Sequence, residues 1–247
     1  AGVGTGWCFA INAVSFGAVI VGLLMMRMEP VTVRRPAYGV RDSFTASVRY
    51  VRSDVSLTGL MTLVAVITVF GWSYSVLLPV FADTVLGIGA AGLGNLLTAV
   101  GIGAFISAVS LASFESRFRP RTFIYTGIGL FVVSVIIFAL SGAVSLSVLA
   151  LIGVGMGLVM FLATANASMQ RRVPDELRGR LMGLYSLVFQ GLAPFGSIGM
   201  GLAAHAVGVR GAVITGAVIC GISAIAVRRS ITRHRMKSAS APAAPAQ

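Results

Sequence analysis

The chain has 247 residues, 57% of them hydrophobic and 11% charged, with a formal net charge of +12. A mean hydropathy of +0.94 and a charged fraction under half of the about 25% usual in soluble domains exclude a water-soluble monomer. The positive charge does not indicate nucleic acid, because the arginines lie in the gaps between apolar runs rather than on one basic face.

A bilayer core about 30 Å thick needs about 20 apolar residues in a helix. Seven segments meet or approach that length: 4–26, 57–81, 90–114, 122–140, 146–167, 181–204 and 211–227. They are too long and too uniformly apolar for barrel strands. The first contains Asn12 and Cys8. The loop 27–56 follows, and its end places Phe44, Val48 and Val51 on one helical face with Arg41, Arg49 and Arg52 around the other. That pattern predicts a short helix lying in the membrane interface with its guanidinium heads on lipid phosphate.

The second helix carries Trp72, Ser73 and Tyr74, with Pro79 near its outer end as a predicted kink. The turn after it, Gly87-Ile-Gly89-Ala-Ala-Gly92, has the letters of a dinucleotide fingerprint. It follows a membrane helix rather than a strand, however, so its glycines are read as serving a tight turn and close helix contact. The third helix holds Asn95, Thr98 and the small pair Ala99 and Gly103. The fifth holds Gly153, Gly155 and Gly157 in small-xxx-small spacing, then Thr164 and Asn166. Such pairs let membrane helices approach closely. Asp175 and Glu176 follow Pro174, which places both in the first turn of a short helix where its dipole favours negative charge. The sixth helix contains Tyr185, Phe189, Gln190 and, midway, a second predicted kink at Pro194. The seventh contains Ala217, Cys220 and Gly221. Residues 229–247 form a basic tail that is expected to be disordered, its end 238–247 having nothing to bury.

Of the 19 Lys and Arg residues, only Arg210 falls outside four short stretches, 27–52, 117–121, 171–180 and 228–237, which occupy every second gap. Basic residues near membrane segments stay on the cytoplasmic side. The four stretches therefore mark the inside, the short uncharged gaps are outer hairpins, and the C-terminus is cytoplasmic. Because the chain opens on a membrane helix without an initiating Met, a basic leader or a cleavage site, it is expected to be the C-terminal part of a longer protein.

No Cys, His, Asp and Glu cluster has ligand spacing, so neither a metal nor a cofactor is expected. Lys237 in the tail is the only lysine, which removes a retinal Schiff base from a seven-helix reading. No buried Asp pair, His-Glu-x-x-His or Ser-His arrangement supports an enzyme. The intramembrane polar residues are neutral. Tyr74, Asn95, Thr98, Thr164, Asn166, Tyr185 and Gln190, together with Trp72 and Phe189, are candidates to line a path for an amphipathic substrate.

Val51-Arg-Ser-Asp54, Ser75-Val-Leu-Leu-Pro-Val-Phe-Ala82, Phe161-Leu-Ala-Thr-Ala-Asn166, and Val173-Pro-Asp-Glu-Leu-Arg-Gly-Arg180 followed by Leu184-Tyr-Ser-Leu-Val-Phe189 resemble the major facilitator superfamily. More narrowly, they resemble its drug and siderophore exporter branch, which includes the enterobactin exporter and the transmembrane secretion effectors. The resemblance implies an all-α membrane protein of the bacterial cytoplasmic membrane with two six-helix halves around a midplane site. Here 1–26 would be the last helix of the first half, 27–56 the central loop, 57–228 the second half and 229–247 the tail. It further implies that the helices bearing Tyr74, Asn95, Asn166 and Gln190 face the cavity. Arg117, Arg121, Asp175, Glu176, Arg178 and Arg180 would form a cytoplasmic gate. The family's latch after the second helix of a half is incomplete, with Ser116 in place of its Asp and Arg119 in place of its Gly. Export of a hydrophobic drug-like or siderophore-like molecule is the implied function, with the lipid bilayer, the substrate and the missing half as partners. A non-transporting scaffold and a seven-helix receptor are the alternatives.

Overall fold

The computed structural model describes residues 5–26, 40–72, 74–114 and 119–240, and every regular element among them is helical. Arg117 lies outside the described residues, as do the side chains of Cys8 and Arg41 and the tail from 241 onward. The chain divides into two units, Ala1–Gly39 and Val40–Gln247. The first unit contains α1, Thr5–Met25, 21 residues with apolar side chains on every side, about 32 Å long at 1.5 Å per residue. That is an all-round apolar helix of bilayer length.

The second unit begins with α2 (Val40–Ser53), α3 (Val55–Val66), a π-helical turn Ile67–Gly71, α4 (Tyr74–Val80) and a second π-helical turn Phe81–Val85. There follow α5 (Gly89–Phe114), α6 (Pro120–Leu140), α7 (Val144–Gln170), α8 (Asp175–Gly191) and α9 (Ala193–Ser240). Several boundaries have visible chemistry. Asp54 caps α3 by accepting from the Ser56 N–H at 2.6 Å and the Leu57 N–H at 3.4 Å. Pro120 opens α6 at its first turn, where a missing N–H costs nothing. Gly87 and Gly89 both have positive φ, 63° and 59°, which supplies the tight turn read from the sequence.

Among the described residues of this second unit, five helical runs are long and apolar enough to cross a bilayer: Val55–Val85, Gly89–Ser113, Pro120–Leu140, Val144–Gln170 and Asp175–His234. The last has 60 residues, about 90 Å of helix and some three times a bilayer core. It is too long for one straight crossing and is broken twice, at Leu192 and at Gly208, the latter with φ 77° and ψ 163°. A glycine conformation thus replaces the loop expected between 204 and 211. The expected sixth helix also begins earlier, at Asp175, and is interrupted at Leu192. The expected second helix starts at Val55 and extends to Val85 through two π-helical turns. Pro79 lies inside the short α4 between them. Residues 229–240 belong to α9 rather than to a disordered tail.

Helix α7 is the centre of the packing, and small residues explain why. A Cβ on Gly155 would overlap the Val100 carbonyl of α5, and one on Gly103 would overlap the Ile152 carbonyl of α7. On another side of α7, a Cβ on Gly157 would lie 2.5 Å from the Phe131 nitrogen and one on Gly153 would overlap Ser134 Oγ, both on α6. Glycines thus seat α7 at backbone distance against two neighbours, the antiparallel α6 and the parallel α5. The second arm of α9 runs antiparallel to α3 and its π turn. Gly216 abuts Phe70, the Cys220 sulfur lies 4.0 Å from the Val66 carbonyl, and Gly59 abuts Val227. Fully buried Phe81, Phe131, Phe138 and Phe161 fill the spaces between helices, with Phe81 and Phe138 4.4 Å apart at their ring centres.

Helix α2 packs on α3 and α8. Val51 and Ser47 are buried and Phe44 is exposed, so the face turned to the bundle is centred on Ser47 and Val51. Of the three residues that the sequence set on one face, Val51 turns to the bundle and Phe44 stays exposed. Arg49 and Arg52 are exposed.

The basic stretches converge at one end of this unit. Arg172 is 3.7 Å from Asp54, the Tyr50 hydroxyl donates to the Arg172 carbonyl at 3.5 Å, and Arg228 lies 5.6 Å over the Tyr125 ring. The exceptional Arg210 is at the opposite end, where its guanidinium donates to the Ser141 carbonyl at 3.2 Å. Ser141 is the C-cap of α6, so this arginine meets the negative end of a helix dipole.

Candidate functional site

Two helices lose their regularity near mid-length, and their irregular points touch. Along Val55–Val85 the break is the π turn Ile67–Gly71 and the residue after it, Trp72. The Trp72 N–H reaches back to the Ile67 carbonyl at 2.6 Å, and the Trp72 carbonyl accepts from the Ser75 N–H at 3.0 Å and the Ser75 hydroxyl at 2.9 Å. Along Asp175–His234 the break is Leu192, followed by Pro194 in the first turn of α9. Pro194 has no N–H for the Gln190 carbonyl, which separates α8 from the helix after it. Isolated π turns mark functional sites often enough to direct attention here.

Trp72 and Phe189 meet edge to face at this place, ring centres 5.9 Å apart and planes at 73°. Tyr185, one turn back along α8, stacks parallel to Phe189 at 6.2 Å. The Tyr185 hydroxyl lies near the Asn166 side chain of α7. Asn166 in turn accepts from Gln170 Nε2 and lies 3.9 Å from the Met182 sulfur. The result is a ladder of rings with an amide and hydroxyl at one side. Trp72 is 41% exposed and Phe189 half-buried, so part of the ladder is accessible from outside the bundle. Stacked aromatics beside a small hydrogen-bonding set form a surface for a flat, mostly apolar molecule carrying a few polar atoms.

The other expected cavity residues are not members of this ladder. Tyr74 is buried, 6.3 Å edge-on from Phe131 of α6, and belongs to the core rather than to an open path. It follows Trp72 by two residues, and a helix turns such neighbours to different sides. Thr164 is buried with no partner for its hydroxyl, inside the α7 contacts. Asn95 is exposed on α5. Thr98 is exposed too, and its hydroxyl donates to the Gly94 carbonyl at 2.8 Å. Gln190 is exposed on α8 beside the break. Helix period alone could have separated Tyr74 from Trp72. Nothing in the sequence marked the π turn that aims Trp72 at Phe189.

At the basic end, Asp175 and Glu176 occupy the first turn of α8, as their position after Pro174 predicts. Arg178 bonds Asp175 at 2.6 Å, an i,i+3 pair on an exposed face that contributes little to stability. Its guanidinium therefore rests against its own helix instead of reaching outward. Arg121 and Arg180 are half-buried.

A family model described as transmembrane secretion effector, of the major facilitator kind, matches residues 1–246. Comparison with curated proteins and with solved structures finds no match.

Proposed function

The chain belongs to the transmembrane secretion effector family, transporters of the major facilitator kind, and from this premise we propose that it exports an amphipathic, ring-containing small molecule across a bacterial cytoplasmic membrane. Drug-like and siderophore-like compounds are the class that stacked rings with an adjacent amide and hydroxyl would hold. The observation that carries the reading is the meeting of Trp72 and Phe189 at two helix breaks. Discontinuous helices near mid-membrane are where transporters of this sort place their sites and their bending points. Alternating access then requires the turn Val173–Arg180 to open and close at the cytoplasmic end, with Arg178 exchanging Asp175 for a partner on a facing six-helix half. The apolar side chains exposed on α5 and on the first arm of α9, Phe105 and Phe195 foremost, fit the contact with that half.

The test is efflux of an amphipathic dye from cells or inverted vesicles expressing the transporter. Trp72→Ala and Phe189→Ala should each reduce the rate about fivefold at unchanged membrane level, since a lost ring stack contributes about 1 kcal/mol per contact. Wild-type rates in both would remove the aromatic ladder from the pathway. No dye movement by the wild type, with the protein folded, favours the scaffold reading.

A further inference from the structure

Between α3, α6, α7 and the second arm of α9, at the arginine-rich end, is a cavity of about 460 Å³. It involves α6 and α9, which pack against each other, and none of the ladder residues lines it. Four arginines border it: Arg119 and Arg121 from the start of α6, Arg171 and Arg172 from the end of α7. Asp54 offsets part of that charge through Arg172 at 3.7 Å, but is already held by the N–H groups it caps. The cavity also lies at the N-terminus of α6, whose cap residue Arg119 supplies no side-chain bond to the first-turn N–H groups. That end of a 21-residue helix carries positive dipole charge.

A second observation is independent of the charges. Ser168, on α7, lines the cavity, is 8% exposed, and its hydroxyl has no hydrogen-bond partner. A buried hydroxyl left unpaired is costly; it is screened from the cavity in this conformation, and a turn of the side chain would bring it to a ligand oxygen. The remaining wall is hydrocarbon: Leu60, Ile124 and Ile231. Guanidinium groups, a helix N-terminus and a hydroxyl recognise a phosphate. Apolar walls beside them recognise an attached chain.

We infer that this cavity binds the headgroup phosphate of an anionic phospholipid, with the lipid's glycerol and upper chain against Leu60, Ile124 and Ile231. A free phosphate would use the arginines but leave the apolar wall uncovered. The site is separate from the substrate path and stands whether or not that reading holds. It ties α6, α7 and the last helix together at the end where anionic lipid is concentrated.

Native mass spectrometry of the purified chain tests this, with phosphatidylglycerol, phosphatidylcholine and inorganic phosphate as probes. Phosphatidylglycerol should be retained about tenfold more than phosphatidylcholine, Arg119→Glu should lower that retention about tenfold, and Ser168→Ala about threefold, in keeping with loss of charge-assisted and neutral bonds respectively. Millimolar inorganic phosphate should not displace the lipid. Equal retention of the two lipids, or retention unchanged in both variants, overturns the site. Displacement by inorganic phosphate overturns the lipid and assigns the cavity to a soluble anion. Arg119 is exposed and Ser168→Ala only removes an atom, so both variants should fold; if the first aggregates, the second decides alone.

Discussion

The backbone contact between α6 and α7 gives the sharpest energetic expectation. In Gly157→Ala the new methyl would start 2.5 Å from the Phe131 nitrogen and 2.9 Å from its Cα, and ordinary contact begins at 3.4 Å. Both obstacles are backbone, so the helices must separate by about 0.9 Å. A gap of that size forfeits about a quarter to a half of each dispersion contact across it. Ile128, Phe131 and Phe161 are fully buried in this region. Taking about thirty atom pairs between them and the facing helix, at about 0.15 kcal/mol each, the loss is about 1.5 kcal/mol, within the usual range for overpacking. The thermal midpoint in detergent should fall by about 3–6 °C. Gly129→Ala, on the same α6 but with nothing within 4 Å of its added carbon, should leave the midpoint unchanged or raise it, since alanine is the better helix former. Equal shifts in the two variants, or a rise with Gly157→Ala, would refute the close-contact argument.

Asp54→Ala should destabilise the start of α3 by about 1 kcal/mol while Asp54→Asn keeps most of the cap, read from the same melting curves; an equal loss in Asn and Ala would assign the effect to the Arg172 pair instead. Gly208→Ala places a side chain at φ 77°, ψ 163°, a region nearly closed to other residues, at a cost of about 1–3 kcal/mol. It should lower the midpoint and shift protease sensitivity at the α9 break, whereas an unchanged midpoint would show that the bend is not held by glycine.

Much of this was legible because lipid imposes few solutions. The spacing of apolar runs and the four arginine stretches lead directly to an all-helical bundle, and Arg172 beside Asp54 with Arg228 over Tyr125 shows those stretches meeting at one end. Pro174 ahead of Asp175 correctly announced the start of α8. What stayed hidden depends on backbone register. The π turn Ile67–Gly71 adds a residue to one turn and redirects Trp72, and no residue type in Ile-Thr-Val-Phe-Gly signals that. Gly208 is one of 30 glycines, and only its φ distinguishes it from those serving as flat packing surfaces. Tyr74 was expected to face a cavity because it is polar, yet its ring is the part that decides its place against Phe131. The arginine-lined cavity could not be read at all, since it joins residues from position 56 to position 231.

The central claim is that the Trp72, Tyr185 and Phe189 ladder lines a water-accessible substrate path. Single cysteines at positions 189 and 218, in a background with Cys8 and Cys220 replaced, can be exposed in native membranes to a membrane-impermeant maleimide. Val218 is an exposed apolar residue on the second arm of α9 and should face lipid. The account predicts that the cysteine at 189 is labelled, that an amphipathic dye protects it, and that the cysteine at 218 stays unlabelled; no labelling at 189, or equal labelling at both without protection, would contradict it.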